Sequence, residues 1–147
     1  MTLGPDSAYE FTLLALSVWR EARGTSLAAK RAVAFTIRNR ATHPSWWGNG
    51  WAGVILKPSQ FSSFNKGDPN AVLFQRPQEV SWLESLQVAE EVFGEIKTED
   101  PTNGATHYYS NDIPAPVWTK AMIQTAAVGP FLFFKKESDW PAHSSKT

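Results

Sequence analysis

The sequence contains no cysteine, which excludes disulfides, thiolate catalysis and cysteine-ligated zinc together. Histidine is scarce. His43, His107 and His143 stand far apart without ligand-type spacing, so no metal site is expected. Net charge is lacking as well: 14 Lys and Arg balance 14 Asp and Glu. Nothing therefore points to electrostatic capture of nucleic acid or of an anionic membrane. No apolar run approaches bilayer-spanning length, and no charged-then-apolar leader opens the chain. The expectation is a soluble protein with no export signal of its own. Phosphate-cradling glycine loops are missing too. No Gly-x-Ser-x-Gly elbow surrounds Ser62 or Ser63, so a serine hydrolase using either with His107 and Asp112 is weakly supported. No cofactor is implied.

Aromatic side chains, by contrast, are plentiful. Seven Trp and nine Phe in 147 residues exceed what one small core usually takes. Some of the tryptophans are expected to line a surface groove as stacking platforms for sugars or bases. Zero net charge argues against bases. The length suits one domain, residues 1–147, and no repeat or low-complexity segment divides it.

Helical periodicity runs through Phe11, Leu14, Ala15, Val18 and Ala22. Asp6 or Ser7 is expected to cap this first helix, and Gly24 to end it in the left-handed conformation. Thr25 or Ser26 then caps a second helix to about Arg40. Its buried side carries Ala28, Ala32, Val33, Phe35 and Ile37; Lys30, Arg31, Arg38 and Arg40 read as a solvated basic face. Residues 41–53 form a glycine-rich loop holding Trp46, Trp47 and Trp51, of which at least one is expected to meet a ligand. Val54 to Leu56 is too brief to assign, and a polar, turn-rich stretch reaches Pro77. Ser81-Trp82-Leu83-Glu84 reads as a capping box that opens another helix. A short strand is expected at 105–109, with Thr106 and Tyr108 on one face and His107 and Tyr109 on the other. A helix at 117–127, a strand at 131–134 pairing with 105–109, and a loose polar tail from Lys135 complete the expected order.

Glu21 stands out within this pattern. At about 100° per residue it lies within roughly 20° of Leu14 and about 60° from Val18, at the edge of the apolar stripe. Half-burial and the negative end of the helix dipole both favour its protonated form, whereas Arg20 and Arg23 oppose it. A carboxyl poised to hold a proton is what a general acid needs. The bland alternative is a solvated helix-end glutamate paired to a neighbouring arginine.

Several segments, taken in order, resemble a known family. Trp-Arg-Glu-Ala-Arg-Gly (19–24), Ala-Val-Ala-Phe-Thr-Ile-Arg-Asn-Arg (32–40), Lys-Pro-Ser-Gln-Phe-Ser (57–62) and Gly-Ala-Thr-His-Tyr-Tyr (104–109) are similar to the cell wall hydrolase family of spore-cortex-lytic, SleB-like enzymes. Pro-Val-Trp (116–118) and Gly-Pro-Phe-Leu-Phe-Phe (129–134) fit its C-terminal part, so the resemblance spans about residues 15–134. It implies an α+β fold, a mostly helical lysozyme-like domain with a small antiparallel β-sheet. It also implies a peptidoglycan-cleaving glycosidase with Glu21 as the catalytic acid. Gln60, Ser62, Thr106, His107 and Tyr108 would line the glycan groove, with Trp47 and Trp118 as further substrate contacts. The family usually carries an acidic residue where this chain has Thr25, which can instead cap the next helix.

These readings converge on an enzyme that cleaves the MurNAc–GlcNAc strand, with peptidoglycan as its partner. It is expected to be a monomer that binds neither nucleic acid nor membrane. Only one acid lies inside a family motif, and Asp68 and Asp112 are the nearest other candidates, so lytic transglycosylase chemistry with 1,6-anhydro ends is expected. Alternatives are a hydrolytic muramidase, a chitinase-like enzyme, or a non-catalytic glycan-binding or phage structural protein. A leaderless catalytic domain resembles a phage endolysin that waits in the host cytoplasm.

Overall fold

The computed structural model describes residues 4–57, 79–94 and 99–138. Among the described residues four helices come first: α1 (Pro5–Ala22), α2 (Leu27–Thr42), α3 (Gly50–Ile55) and α4 (Val80–Phe93). Strand β1 (His107–Ser110), a 3-10 turn at Val117–Ala121, and strands β2 (Ile123–Val128) and β3 (Phe131–Lys135) follow. The sheet is antiparallel in the order β1-β3-β2. This is the α+β arrangement expected, and β3 pairs with β1 through His107↔Phe134 and Tyr108↔Phe133.

The core forms where the apolar stripe of α1 (Leu14, Val18, Ala22) meets Ala29, Ala32, Val33 and Ile37 of α2. Val88, Ala89 and Val92 of α4 close it from one side, and Phe131 and Phe133 of β3 join it. Ser26 caps α2, its side chain accepting from the Ala29 N–H at 3.1 Å.

Several expectations are corrected. Gly4, rather than Asp6 or Ser7, precedes α1, with Pro5 as its first residue; a fixed φ and a missing N–H suit that position. Gly24 is not left-handed, because other groups satisfy the end of α1. Thr25 donates from both N–H (3.0 Å) and Oγ1 (2.7 Å) to the Ala22 carbonyl, so it ends α1 instead of capping α2. The basic face is not solvated throughout, since Lys30 is 1% and Arg40 7% exposed. Ser81 lies inside α4, and Glu79 is the residue before it. Trp51 and Val54 to Ile55 belong to α3. Residues 117–127 are not a helix: after the 3-10 turn, β2 pairs with β3 along its length. Lys135 belongs to β3 and is buried, not part of a loose tail.

Candidate active site

Glu21 occupies the last turn of α1, half-buried, between fully buried Val18 and Ala22. Tyr108, 87 residues later in β1, donates its hydroxyl to Glu21 Oε1 at 2.9 Å. Strand pairing places Tyr108 opposite Phe133, and its ring lies against Phe131 (5.3 Å, edge-on) and Phe133 (5.7 Å). Burial of the phenol, and then the charge and hydrogen bond of Glu21, push the Tyr108 pKa well above its ordinary value; Arg40 opposes them. Tyr108 therefore stays protonated and remains a donor to Glu21 throughout the working pH range. Burial lowers Arg40 to about 10, which leaves it charged at neutral pH.

Alternation along β1 sends His107 and Tyr109 to the other face. His107 packs against Trp118 (5.3 Å), Trp46 (5.7 Å) and Trp47 (6.2 Å), and Tyr109 stacks on Phe134 at 5.8 Å. The His107 Nδ1 lies 2.9 Å from Thr106 Oγ1. Burial first, then the charges of Arg40 and Lys136, lower the His107 pKa to about 4, so the ring is neutral near pH 7.

The structure thus divides the candidate residues. Tyr108 meets Glu21, whereas His107 and Trp118 form an aromatic cluster on the opposite side of the strand. Thr106 is fully buried and cannot line an open groove. Trp47 is corrected in the same way: it is 2% exposed, and its indole N–H donates to the carbonyls of Arg40 and His43, both at 3.0 Å. Its neighbour Trp46 is 52% exposed, more than Trp47 or the half-buried Trp51. Gln60, Ser62 and Asp68 lie outside the described residues. Asp112 is exposed just beyond β1. Among the described residues, no three His, Asp or Glu side chains gather as metal ligands.

Sequence reasoning missed the groups that hold this site in place. Lys30 of α2 donates to the carbonyls of Arg23 (3.4 Å) and Thr25 and pairs with Glu84 of α4 at 3.2 Å. Asn39 donates to Asp100 Oδ2 and to the Ala105 carbonyl, both at 2.9 Å, and Arg40 Nε donates to the Thr106 carbonyl. Trp19 donates its indole N–H to Glu79 (2.7 Å) and Ser81 (3.1 Å) at the start of α4. A signal for the buried cations was available: Lys30 lies seven residues before Ile37, and Arg40 seven after Val33. That interval returns a helix to nearly the same face.

A half-buried glutamate at a helix end, held by a half-buried tyrosine on a facing sheet, marks the candidate site of this α+β domain. The model of the family described as Cell Wall Hydrolase matches residues 24–134. The chain belongs to that family. Glu21 lies three residues before the matched segment. Spore cortex-lytic enzyme of Bacillus subtilis (strain 168) is 29% identical over 130 residues, covering 88% of this chain and 39% of the relative. The enzyme of that description from Halalkalibacterium halodurans is 28% identical over 124 residues, covering 84% of this chain and 34% of the relative. The chain therefore spans less than half the length of these relatives. The crystal structure of the catalytic domain of the Bacillus cereus SleB protein superposes with a TM-score of 0.68 at 26% identity, covering 87% of this chain and 91% of that one. The catalytic domain of SleB from Bacillus anthracis has a TM-score of 0.70 at 24% identity over 91% of this chain and 100% of that one, a likeness of fold.

Proposed function

We propose that this domain cleaves the glycan strand of peptidoglycan between N-acetylmuramic acid and N-acetylglucosamine, as a lytic transglycosylase that uses Glu21 alone as acid and base. The observation that carries this reading is the half-buried Glu21 carboxyl with one oxygen held by the Tyr108 hydroxyl at 2.9 Å. Membership of the cell wall hydrolase family and the spore cortex-lytic relatives support the substrate class.

In the first step Glu21 donates its proton to the glycosidic oxygen as the C1–O bond breaks. The N-acetyl oxygen of the muramic acid attacks C1 and takes the place of the leaving group. In the second step the C6 hydroxyl attacks C1, displaces the acetamido oxygen and returns its proton to the Glu21 carboxylate. The ring closes as a 1,6-anhydro end, and no water enters the product. Tyr108 donates to the carboxylate formed between the two steps, which lowers the energy of that intermediate state. Trp46 offers a sugar-stacking face at the rim of the loop after α2. The relatives named above are bacterial spore enzymes and lend the endolysin reading no support.

Digestion of sacculi in ¹⁸O-water, followed by mass spectrometry, tests the reaction. The reading requires anhydromuramic ends without ¹⁸O. Reducing muramic ends that carry ¹⁸O would make the enzyme a muramidase with a second carboxylate.

A further inference from the structure

Asn39 and Arg40, near the end of α2, have no part in the two chemical steps, yet their side chains reach the residues that lead into the strand carrying Tyr108. Asn39 Nδ2 donates to the Ala105 carbonyl and to Asp100 Oδ2, both at 2.9 Å. The same aspartate accepts from the Thr102 N–H (2.8 Å), Thr102 Oγ1 (2.7 Å) and the Gly104 N–H (3.0 Å). It closes a tight turn in which Asn103 and Gly104 both take positive φ. The next residue along α2, Arg40, is 7% exposed, donates from Nε to the Thr106 carbonyl and lies 5.8 Å from the Trp47 ring. Ala105 and Thr106 are the residues that lead into β1. Their carbonyls are thus fixed from one side by α2, while the Thr106 N–H is fixed from the other by the Phe134 carbonyl of β3 at 2.9 Å.

We propose that Asn39 and Arg40 are positioning residues for the Glu21–Tyr108 pair. By clamping the carbonyls of Ala105 and Thr106 they set where Tyr108 stands along β1, and so whether its hydroxyl reaches Glu21. Arg40 also keeps a buried positive charge next to this strand, which makes Tyr108 a stronger donor. The electrostatic influence of Arg40 on the Tyr108 phenol agrees with this placement. The proposal rests on the reading of Glu21 as the acid and base. A buried arginine that only stabilised the fold would not need to act through Tyr108.

The electrostatic part has a defined sign. A hydroxyl that donates to a carboxylate favours its charged form. Weakening that donation makes Glu21 hold its proton to higher pH, so the alkaline limb of activity moves upward. The other charged groups on the elements packed here are Asp6, Glu10 and Arg20 on α1 with Arg23 just after it, Lys30, Arg31 and Arg38 on α2, Glu79 beside α4 and Glu84, Glu90 and Glu91 within it, and Lys135 and Lys136 at the end of β3. All of them are retained in the variants used. His107, next to Tyr108 on β1, stays neutral near pH 7.

The test is a double-mutant cycle read in the turnover of sacculi, with circular dichroism to verify folding. Tyr108→Phe is expected to lower kcat about 10-fold with KM within about twofold, and Asn39→Ala roughly 3- to 10-fold. If Asn39 acts through Tyr108, adding Asn39→Ala to Tyr108→Phe lowers kcat by less than about twofold more. Full multiplication of the two losses overturns the proposal. Arg40→Met is expected to raise the alkaline limb by roughly half a unit or more, and Arg40→Lys, which keeps the charge, to leave it in place. A folded Arg40→Met with wild-type kcat and limb also overturns the proposal, and should that variant not fold, the Asn39 cycle decides alone. Glu21→Gln, assayed in parallel, separates the two claims. An inactive Glu21→Gln with an additive cycle rejects the clamp alone. An active Glu21→Gln rejects the reading of Glu21, whatever the cycle shows.

Discussion

Trp46 and Trp47 are adjacent in sequence and opposite in environment, at 52% and 2% exposure. Trp47→Ala should destabilise the fold by about 3–5 kcal/mol, the usual cost of emptying a large aromatic site, read from the urea midpoint. Trp46→Ala should change stability by less than about 0.5 kcal/mol on the same measure and weaken retention on sacculi. Composition flagged this loop as aromatic-rich but could not tell the two residues apart. The difference comes from the Arg40 and His43 carbonyls, which draw the Trp47 indole inward. His107 supplies a pH dependence. Its folded pKa, about 4, lies below the ordinary 6.5, so the unfolded chain binds more protons between those values. The stability gained by keeping it neutral is complete above about pH 6.5 and is lost as pH falls towards 4. Thermal melts of the wild type should show that decline, and melts of His107→Gln should show a shallower one. Glu21 was legible at this scale because the helical period alone placed it at the edge of a buried stripe. Its partner was not, because Tyr108 stands 87 residues away.

Among the elements, α2 does more than a helix of its period suggests. Read as an amphipathic rod it has a core side and a basic side, yet two of its basic residues turn inward and donate to backbone carbonyls of neighbouring segments. Lys30 satisfies the Arg23 and Thr25 carbonyls at the end of α1. Lys30→Met should therefore destabilise the protein by roughly 1–3 kcal/mol for the hydrogen bonds and the Glu84 pairing lost, measured by chemical denaturation. The β2–β3 turn makes a second case. Gly129 has a φ of 56°, and a Cβ there would lie 3.0 Å from the Ala29 Cβ of α2. Gly129→Ala should lower stability by about 1 kcal/mol or more, from left-handed strain and that contact together. The segment Thr119 to Ala127 misled because Lys, Ala, Met and Gln favour helix locally. Pairing with β3 outweighs that preference, and pairing is a long-range fact that a window of residues does not contain. The strands at 105–109 and 131–134 were easier, since their aromatic and β-branched residues favour strand by themselves.

Over the whole molecule, the α+β class followed from the family resemblance, while the site depends on how the chain closes. The helical layer carries Glu21, the sheet carries Tyr108, and the end of α2 joins them through the 100–106 loop. Strand alternation then gives the two faces of β1 different neighbours: Tyr108 meets Glu21, and His107 joins Trp118 and Trp46. Strand alternation already set His107 apart from Thr106 and Tyr108 in the sequence, although the family resemblance lines all three along one groove. The central claim is that Glu21 supplies and recovers the proton on which both chemical steps depend. The most direct measurement is the rate at which Glu21→Gln, verified as folded and still bound to sacculi, releases muropeptide-bearing fragments from them. The glutamine keeps the size and the hydrogen-bonding capacity of the side chain but has no transferable proton. The account predicts a rate at least about 10²-fold below wild type, the scale of lost general-acid catalysis, and release within a few-fold of wild type would contradict it.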